Sequence, residues 1–261
     1  MFLIFYGIFG LVFGSFLNVV IARVPTGESL IPRSHCPKCS TPIRERDNIP
    51  IVSWILLRAK CRNCQQPISK RYPLVETFTG AGFVYLAWTM NMGVPNILDL
   101  TLLYFCCASI VLTLIDIDTK TLPNIIVIPT FIIIVVGVVG SSLLNESWDK
   151  LFVATVWAGI YGAFYFALWF FTGGKGLGYG DVKLAPTLGL LVGFYGSGAA
   201  AIGFVSAFII GGIPLSILML VGRLKRGTQI PFGPFLLVGA WVGILWGNQL
   251  ASTYVSITGL S

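Results

Sequence analysis

The twenty-one residues 124–144, NIIVIPTFIIIVVGVVGSSLL, contain no charged side chain. At 1.5 Å of rise per residue such a run extends about 30 Å as a helix, the thickness of a bilayer's hydrocarbon core. The rest of the chain matches it: 56% of the 261 residues are hydrophobic and only 10% are charged, with a mean hydropathy of +0.86. That composition excludes an ordinary water-soluble globule. Outward from 124–144, further apolar runs lie at 2–22, 74–90, 97–116, 151–171, 184–196, 199–221 and 235–254. The expectation is an all-α polytopic membrane protein with about eight transmembrane helices. The uninterrupted stretch 184–221, 38 residues with Pro186 and Pro214, is too long for one crossing and demands a tight turn near Gly196-Ser197-Gly198. No basic residue precedes Arg23, so the first span lacks the charged start of a secretory signal and is expected to be retained.

Charge sets the orientation. Residues 23–73 hold ten basic and three acidic side chains, which is the whole formal charge of +7. One basic loop in a neutral apolar body is unlike the spread basic face of a nucleic-acid binder, so no nucleic-acid partner is expected. Positive loops face the cytoplasm. Placing 23–73 there also makes 117–123, 172–183 and 222–234 cytoplasmic, with sixteen of seventeen Lys and Arg on that side and only Lys150 outside. An even number of spans then puts both termini on the outer side. The expected domains are a first transmembrane helix (1–22), a cytoplasmic loop module (23–73) and a membrane domain (74–261). No internal repeat is evident.

Four of the six cysteines form Cys36-Pro-Lys-Cys39 and Cys61-Arg-Asn-Cys64, with 21 residues between the pairs. Each Cys-x-x-Cys turn presents two thiolates to one ion, and two turns complete a closed tetrahedral Cys₄ zinc site. Two disulfides would fit an oxidising compartment rather than this loop, and a redox dithiol would need one pair only. Lys38, Lys60 and Arg62 offset the thiolate charge or meet anionic membrane lipids. His35, the one histidine, is a bystander where four cysteines are available. Cys106 and Cys107, inside a span, are packing residues.

With its sole histidine in that loop the chain has no Ser-His-Asp machinery, so proton chemistry falls to carboxylates. Acids in or beside membrane spans are functional candidates by default: Glu76, Asp99, Asp116, Asp118 and Asp181. Asp99 sits at an outer end. Asp116 ends the third span and Asp181 begins the sixth, so the topology brings both to the cytoplasmic boundary. Two carboxylates in one site share a proton, giving one general base and one general acid. The alternative is that each caps a helix or pairs with Lys120 or Lys183. Two residues turn a helix by about 200°, so Asp116 and Asp118 cannot both point inward. Leu122-Pro123-Asn124 marks a helix restart. The run Gly173-Gly174-Lys175-Gly176-Leu177-Gly178-Tyr179-Gly180-Asp181 is too glycine-rich to be a helix at low cost. It is not a nucleotide loop either, since GxGxxG lacks its last glycine and Trp169 stands where a Walker A glycine belongs. Its glycines allow close backbone approach, leaving room for an extended substrate beside Asp181.

Taken together, these residues resemble one family nearly end to end. The matching segments are Gly14-Ser15-Phe16-Leu17-Asn18-Val19-Val20 with Arg23 and Pro25, Pro32-Arg33-Ser34-His35-Cys36-Pro37-Lys38-Cys39, Asp47-Asn48-Ile49-Pro50, and Pro67-Ile68-Ser69-Lys70-Arg71-Tyr72-Pro73 with Glu76. Asp116 with Leu122-Pro123-Asn124, Gly178-Tyr179-Gly180-Asp181-Val182-Lys183-Leu184, and Pro231-Phe232-Gly233-Pro234-Phe235 complete the set. The chain resembles the type IV prepilin leader peptidases/N-methyltransferases, GxGD aspartyl membrane proteases. The resemblance implies a catalytic pair at Asp116 and Asp181, with Gly178, Gly180 and Lys183 in the substrate loop. It implies cleavage of a basic leader from type IV prepilins or pseudopilins at the bacterial inner membrane. It further implies S-adenosylmethionine-dependent methylation of the new N-terminus, involving the zinc loop. Glu28, Arg33 and Asp47 are the loop charges offered for methyl-transfer contacts, and Glu76 is offered for the pilin's free amine or, equally, a buried pair with Arg71 or the helix start. Ala59 and Asn124 depart from the common glycine and aspartate without removing a catalytic group. Outside the family, a zinc-stabilised scaffold would leave the carboxylate pair unexplained, and an ion-coupled transporter would place such a pair mid-bilayer.

Overall fold

The computed structural model describes residues 2–31, 34–174, 177–221 and 231–259. Expectations that rest on Arg33, Lys175, Lys225 and the arginines at 223 and 226 fall outside the described residues. The helices in chain order are α1 (Phe2–Arg23), α2 (Val52–Leu56), α3 (Arg71–Thr89), α4 (Ile97–Thr119), α5 (Asn124–Leu144), α6 (Trp148–Phe171), α7 (Tyr179–Phe194), α8 (Ser197–Leu220) and α9 (Gly233–Thr258). Among the described residues the only strand-like pairings are the isolated bridges His35–Pro42 and Lys60–Pro67.

Each of the eight expected spans coincides with a helix, but only six of these, α1, α4, α5, α6, α8 and α9, are long and apolar enough to cross a bilayer. Eight crossings are therefore not confirmed among the described residues, the two helices outside the six being α3 and α7. The sixteen residues of α7 rise about 24 Å, short of the ~30 Å hydrocarbon core. In α3 the apolar run is diluted by Arg71, Glu76, Thr77, Thr79 and Thr89.

The chain forms two compact units that divide at Val111/Leu112, inside α4. In the first, α1 lies along α3. A Cβ on Gly14 would stand 2.6 Å from the Glu76 Cα, the close approach that small residues permit between membrane helices. Asn18 Nδ2 donates to the Tyr72 carbonyl at 3.1 Å, tying α1 to the start of α3. The loop module between these helices carries α2 and two short 3₁₀ turns, Val24–Thr26 and Glu45–Asp47.

The second unit is built on α7. Twelve of its sixteen residues are buried, with Leu184, Leu188 and Leu191 wholly enclosed, and it packs against α5, α6, α8 and α9. A helix that is apolar on every side belongs at the centre of a bundle. The turn expected near Gly196 is present, with Gly196 at φ 120°. Asn248 of α9 holds it from both sides, donating to the Tyr195 carbonyl at 2.7 Å and accepting from the Ala199 N–H at 3.2 Å.

Candidate active site and metal centre

Three helix ends of the second unit meet at two carboxylates. Asp116 lies in the last turn of α4 and is 4% exposed, while Asp118, two residues on, faces outward, as helical rotation requires. The chain leaves α4 at Lys120, whose φ is 56°, and restarts after Pro123, whose extended backbone precedes Asn124 of α5. Asp181 is 5% exposed. The glycine-rich segment was expected to be irregular through Asp181, but α7 begins at Tyr179, so Gly180 and Asp181 belong to its first turn. Asp181 itself makes this possible, because its Oδ2 accepts the Gly178 N–H at 3.2 Å and satisfies a donor that the helix start leaves free. Gly180 lets this turn approach the restart: a Cβ there would be 2.8 Å from the Leu122 Cβ.

The two carboxylates converge beside Gly233, the first residue of α9. The Gly233 N–H donates to Asp116 Oδ2 at 3.1 Å in a buried hydrogen bond. A Cβ on Gly233 would lie 2.7 Å from Asp116 Oδ2 and 3.4 Å from Asp181 Oδ1. The two oxygens are therefore no farther apart than the sum of those distances. Asp181 Oδ1 is buried with no hydrogen-bond partner among the described residues. The N-termini of α7 and α9 thus each bring one backbone N–H, that of Gly178 and that of Gly233, onto the pair, together with the positive ends of their dipoles. Lys183 does not pair with either acid: its Nζ donates to Asn124 Oδ1 at 3.1 Å and sits 4.6 Å over the Tyr179 ring.

The loop module of the first unit gathers its four cysteines. The sulfurs of Cys36, Cys39, Cys61 and Cys64 all lie within 4.8 Å of one another, and Cys36 and Cys64 are 3.8 Å apart. A tetrahedral zinc with Zn–S of about 2.3 Å separates its sulfurs by roughly 3.8 Å, so the cluster fits the ion. The absence of an internal repeat is corrected here, because the two turns are copies. Ser40 N–H to Cys36 O, Cys36 N–H to Thr41 O and Ile43 N–H to Ser34 O recur as Gln65 to Cys61, Cys61 to Gln66 and Ile68 to Ala59. Ser40 and Gln65 both turn left-handed, at φ 56° and 58°. The signal was present in sequence as Cys-x-x-Cys-x-x-Pro-Ile, at Cys36–Ile43 and again at Cys61–Ile68.

Hydrogen bonds from the backbone N–H groups of Cys64 and Asn63 lower the Cys61 thiol, and the Thr41 side chain leads in lowering Cys39 to about 6. At Cys64 the Gln66 N–H favours the thiolate, but desolvation and the other three sulfurs prevail and push it up to about 11. Four crowded sulfurs cannot all ionise without a cation among them, and thiolates are the form that binds metal. His35 is exposed and outside the cluster.

Of the residues offered for methyl transfer, Glu28 and Asp47 are described and Arg33 is not. Asp47 is held by Arg62 in a two-pronged ion pair at 2.7 and 2.9 Å, and Glu28 is exposed. Glu76 is 7% exposed. Its Oε2 accepts the Ile51 N–H at 2.7 Å, and Ser15 hydrogen-bonds to the same carboxylate. Ile51 has φ 61° and ψ −51°, a strained conformation for a β-branched residue that Glu76 holds in place. Gly233 entered the sequence reading only inside the matching segment 231–235, with no role, and Ile51 did not enter it. Neither offers side-chain chemistry, and both act through a backbone N–H that only the fold aims.

Residues 8–90 match the family described as bacterial peptidase A24 N-terminal domain, and residues 103–221 match the type IV leader peptidase family. The chain is 33% identical to a protein of Stutzerimonas stutzeri over 97% of its own length and 93% of the relative's. It is 33% identical to one of Pseudomonas aeruginosa over 96% and 92%, and 37% identical to one of Neisseria gonorrhoeae over 90% and 87%. Each of the three is named prepilin leader peptidase/N-methyltransferase. No solved structure matches the chain.

Proposed function

Because the chain belongs to the type IV leader peptidase family, we propose that it is a two-reaction enzyme of the bacterial inner membrane, which removes the leader of prepilins or pseudopilins and methylates the new N-terminus. The observation that carries the peptidase reading is the convergence of Asp116 Oδ2 and Asp181 Oδ1 on one point beside Gly233. The ionised member of the pair takes a proton from water, whose oxygen bonds to the scissile carbonyl carbon. The protonated member donates to the carbonyl oxygen. Collapse of the tetrahedral adduct breaks the C–N bond, the departing amine takes a proton, and the pair again holds one proton. Gly178, Gly180 and Lys183 flank the approach to Asp181. Sixteen of seventeen basic residues favour a cytoplasmic site and outward termini.

For methyl transfer the chain offers the module over 23–73, with structural zinc at Cys36, Cys39, Cys61 and Cys64. S-adenosylmethionine supplies an electrophilic methyl group to the free amine. Asp47 is committed to Arg62 and Glu76 to Ile51, so Glu28 is the described acid of the three loop candidates left to meet an amine or methyl donor. The test is incubation of the purified protein with a prepilin, with and without S-adenosylmethionine, and mass measurement of the product N-terminus. Loss of the leader in both reactions and one added methyl group only with the cofactor are expected; an unchanged prepilin in both sinks the proposal.

A further inference from the structure

The short helix α2 is apolar on two sides, and only one of them is used. Its inner side is Ser53, buried, with Trp54 and Leu57 half-buried. Trp54 Nε1 donates to the Ile68 carbonyl at 3.3 Å, and Ser53 Oγ to the Arg46 carbonyl at 3.0 Å, which fixes α2 on the cysteine module. The outer side carries Ile49, Val52, Ile55 and Leu56, exposed by 49, 48, 61 and 75%. Ile49 belongs with them because its N–H bonds to Ser53 Oγ and its carbonyl accepts the Ser53 N–H, continuing the helical stripe backward. On the spans an exposed apolar face meets acyl chains. On a loop module four such side chains in eight residues are a surface that something covers.

Chain continuity and charge say what covers it. The module is bounded by α1, which crosses the membrane, and by α3, which is packed along α1, so it has a bilayer surface beside it. Arg44 and Arg46 precede the stripe and Arg58 and Lys60 follow it, all four exposed. An apolar stripe with cations on both flanks is the composition of a segment lying in the headgroup region of an anionic membrane. We propose that Ile49, Val52, Ile55 and Leu56 dock the module into the anionic leaflet beside α1, with Arg58 and Lys60 on lipid headgroups. The cysteine cluster is then held at the bilayer surface rather than free in the aqueous phase. This placement does not depend on which reactions the protein performs.

The test uses the full-length protein in lipid nanodiscs. Leu56→Trp is compared with the parent chain, so that the added emission is read as a difference, and Ile55→Trp serves where the first variant fails to hold stoichiometric zinc. In nanodiscs rich in anionic lipid, lipid brominated near the glycerol end of its acyl chains should remove most of the added emission. Aqueous acrylamide should leave most of it. Adding Arg58→Gln and Lys60→Gln should reduce the lipid quenching at least twofold in anionic nanodiscs. Free quenching by acrylamide would overturn the proposal, as would protection from both quenchers, which would mean that protein covers the stripe. Lipid quenching unaffected by the two glutamines would overturn the assignment of Arg58 and Lys60.

Discussion

Gly233→Ala places one methyl group between the two carboxylates. Built on the observed backbone, its Cβ falls 2.7 Å from Asp116 Oδ2 and 3.4 Å from Asp181 Oδ1. Carbon and oxygen settle at about 3.3 Å, so the Asp116 carboxylate or the start of α9 must retreat by roughly half an ångström. Alanine keeps the N–H that bonds Asp116 and is tolerated at a helix start, so the change acts on geometry rather than on donors. Overpacking of this kind costs about 1–3 kcal/mol, which a bundle with α7 at its core survives. A misplacement of about 1 Å at a reacting group costs on the order of 100-fold in rate, so a loss of leader cleavage of at least about tenfold is expected. The assay is the initial rate of prepilin cleavage by purified protein, alongside methylation of an already trimmed pilin by the same preparation. Methylation should be unchanged, since Gly233 and the loop module belong to different units. Cleavage within twofold of the wild type would refute the reasoning, because the carboxylates would then tolerate a group where water and the scissile carbonyl must meet.

Three other outcomes follow from the loop module. Cys36→Ser removes the buried ligand of the four and should abolish stoichiometric zinc, with methylation lost before cleavage; retention of a full equivalent of zinc by metal analysis would contradict the Cys₄ site. Glu76→Ala strands the Ile51 N–H and lets its strained positive-φ conformation relax, a cost of about 1–3 kcal/mol to the module. Methylation should fall while cleavage persists, and the reverse pattern would be inconsistent with a role in holding the loop. Asp47 is held below the usual carboxylate range, first by the Arg62 hydrogen bond, so its stabilising contribution is complete above about pH 4 and is lost only as pH falls through the lower folded value. Asp47→Asn should therefore speed zinc loss to a chelator by the same factor at about pH 6 and about pH 8, whereas a factor that changes over that range would assign the effect to another group.

The fold was legible where the chemistry is one-dimensional. A run such as 124–144 fixes a helix by its length and lack of charge, and the turn at Gly196 is where α7 ends and α8 begins. The number of spans was less so, because residues 184–221 are uniformly apolar whether a helix crosses lipid or is buried among its neighbours. α7 is enclosed by α5, α6, α8 and α9, and at sixteen residues it is shorter than the other helices of that unit. The pairing of Asp116 with Asp181 could be argued from topology, and helix geometry alone required that only one of Asp116 and Asp118 face inward, without saying which. Gly233 could not be found that way. It lies 52 positions after Asp181, and its contribution is an N–H and the lack of a Cβ.

The helix ends at the site give its two acids a second role beside the proposed catalytic one. Asp181 accepts the Gly178 N–H at the start of α7, and Asp116 accepts the Gly233 N–H at the start of α9. Each side chain therefore satisfies a backbone donor at a helix start, that of Gly233 in a buried hydrogen bond, and capping is a real part of its work. Asparagine separates capping from catalysis, since its amide oxygen accepts the same N–H but cannot take a proton from water or carry the shared one. Asp116→Asn and Asp181→Asn should keep wild-type thermal stability and methylation of a trimmed pilin while leader cleavage falls below detection. Asp181→Ala should lose cleavage and also about 0.5–2 kcal/mol of stability, the cost of an absent cap. If either asparagine variant still cleaves, its acid is a cap and no more, and the catalytic pair must be sought elsewhere.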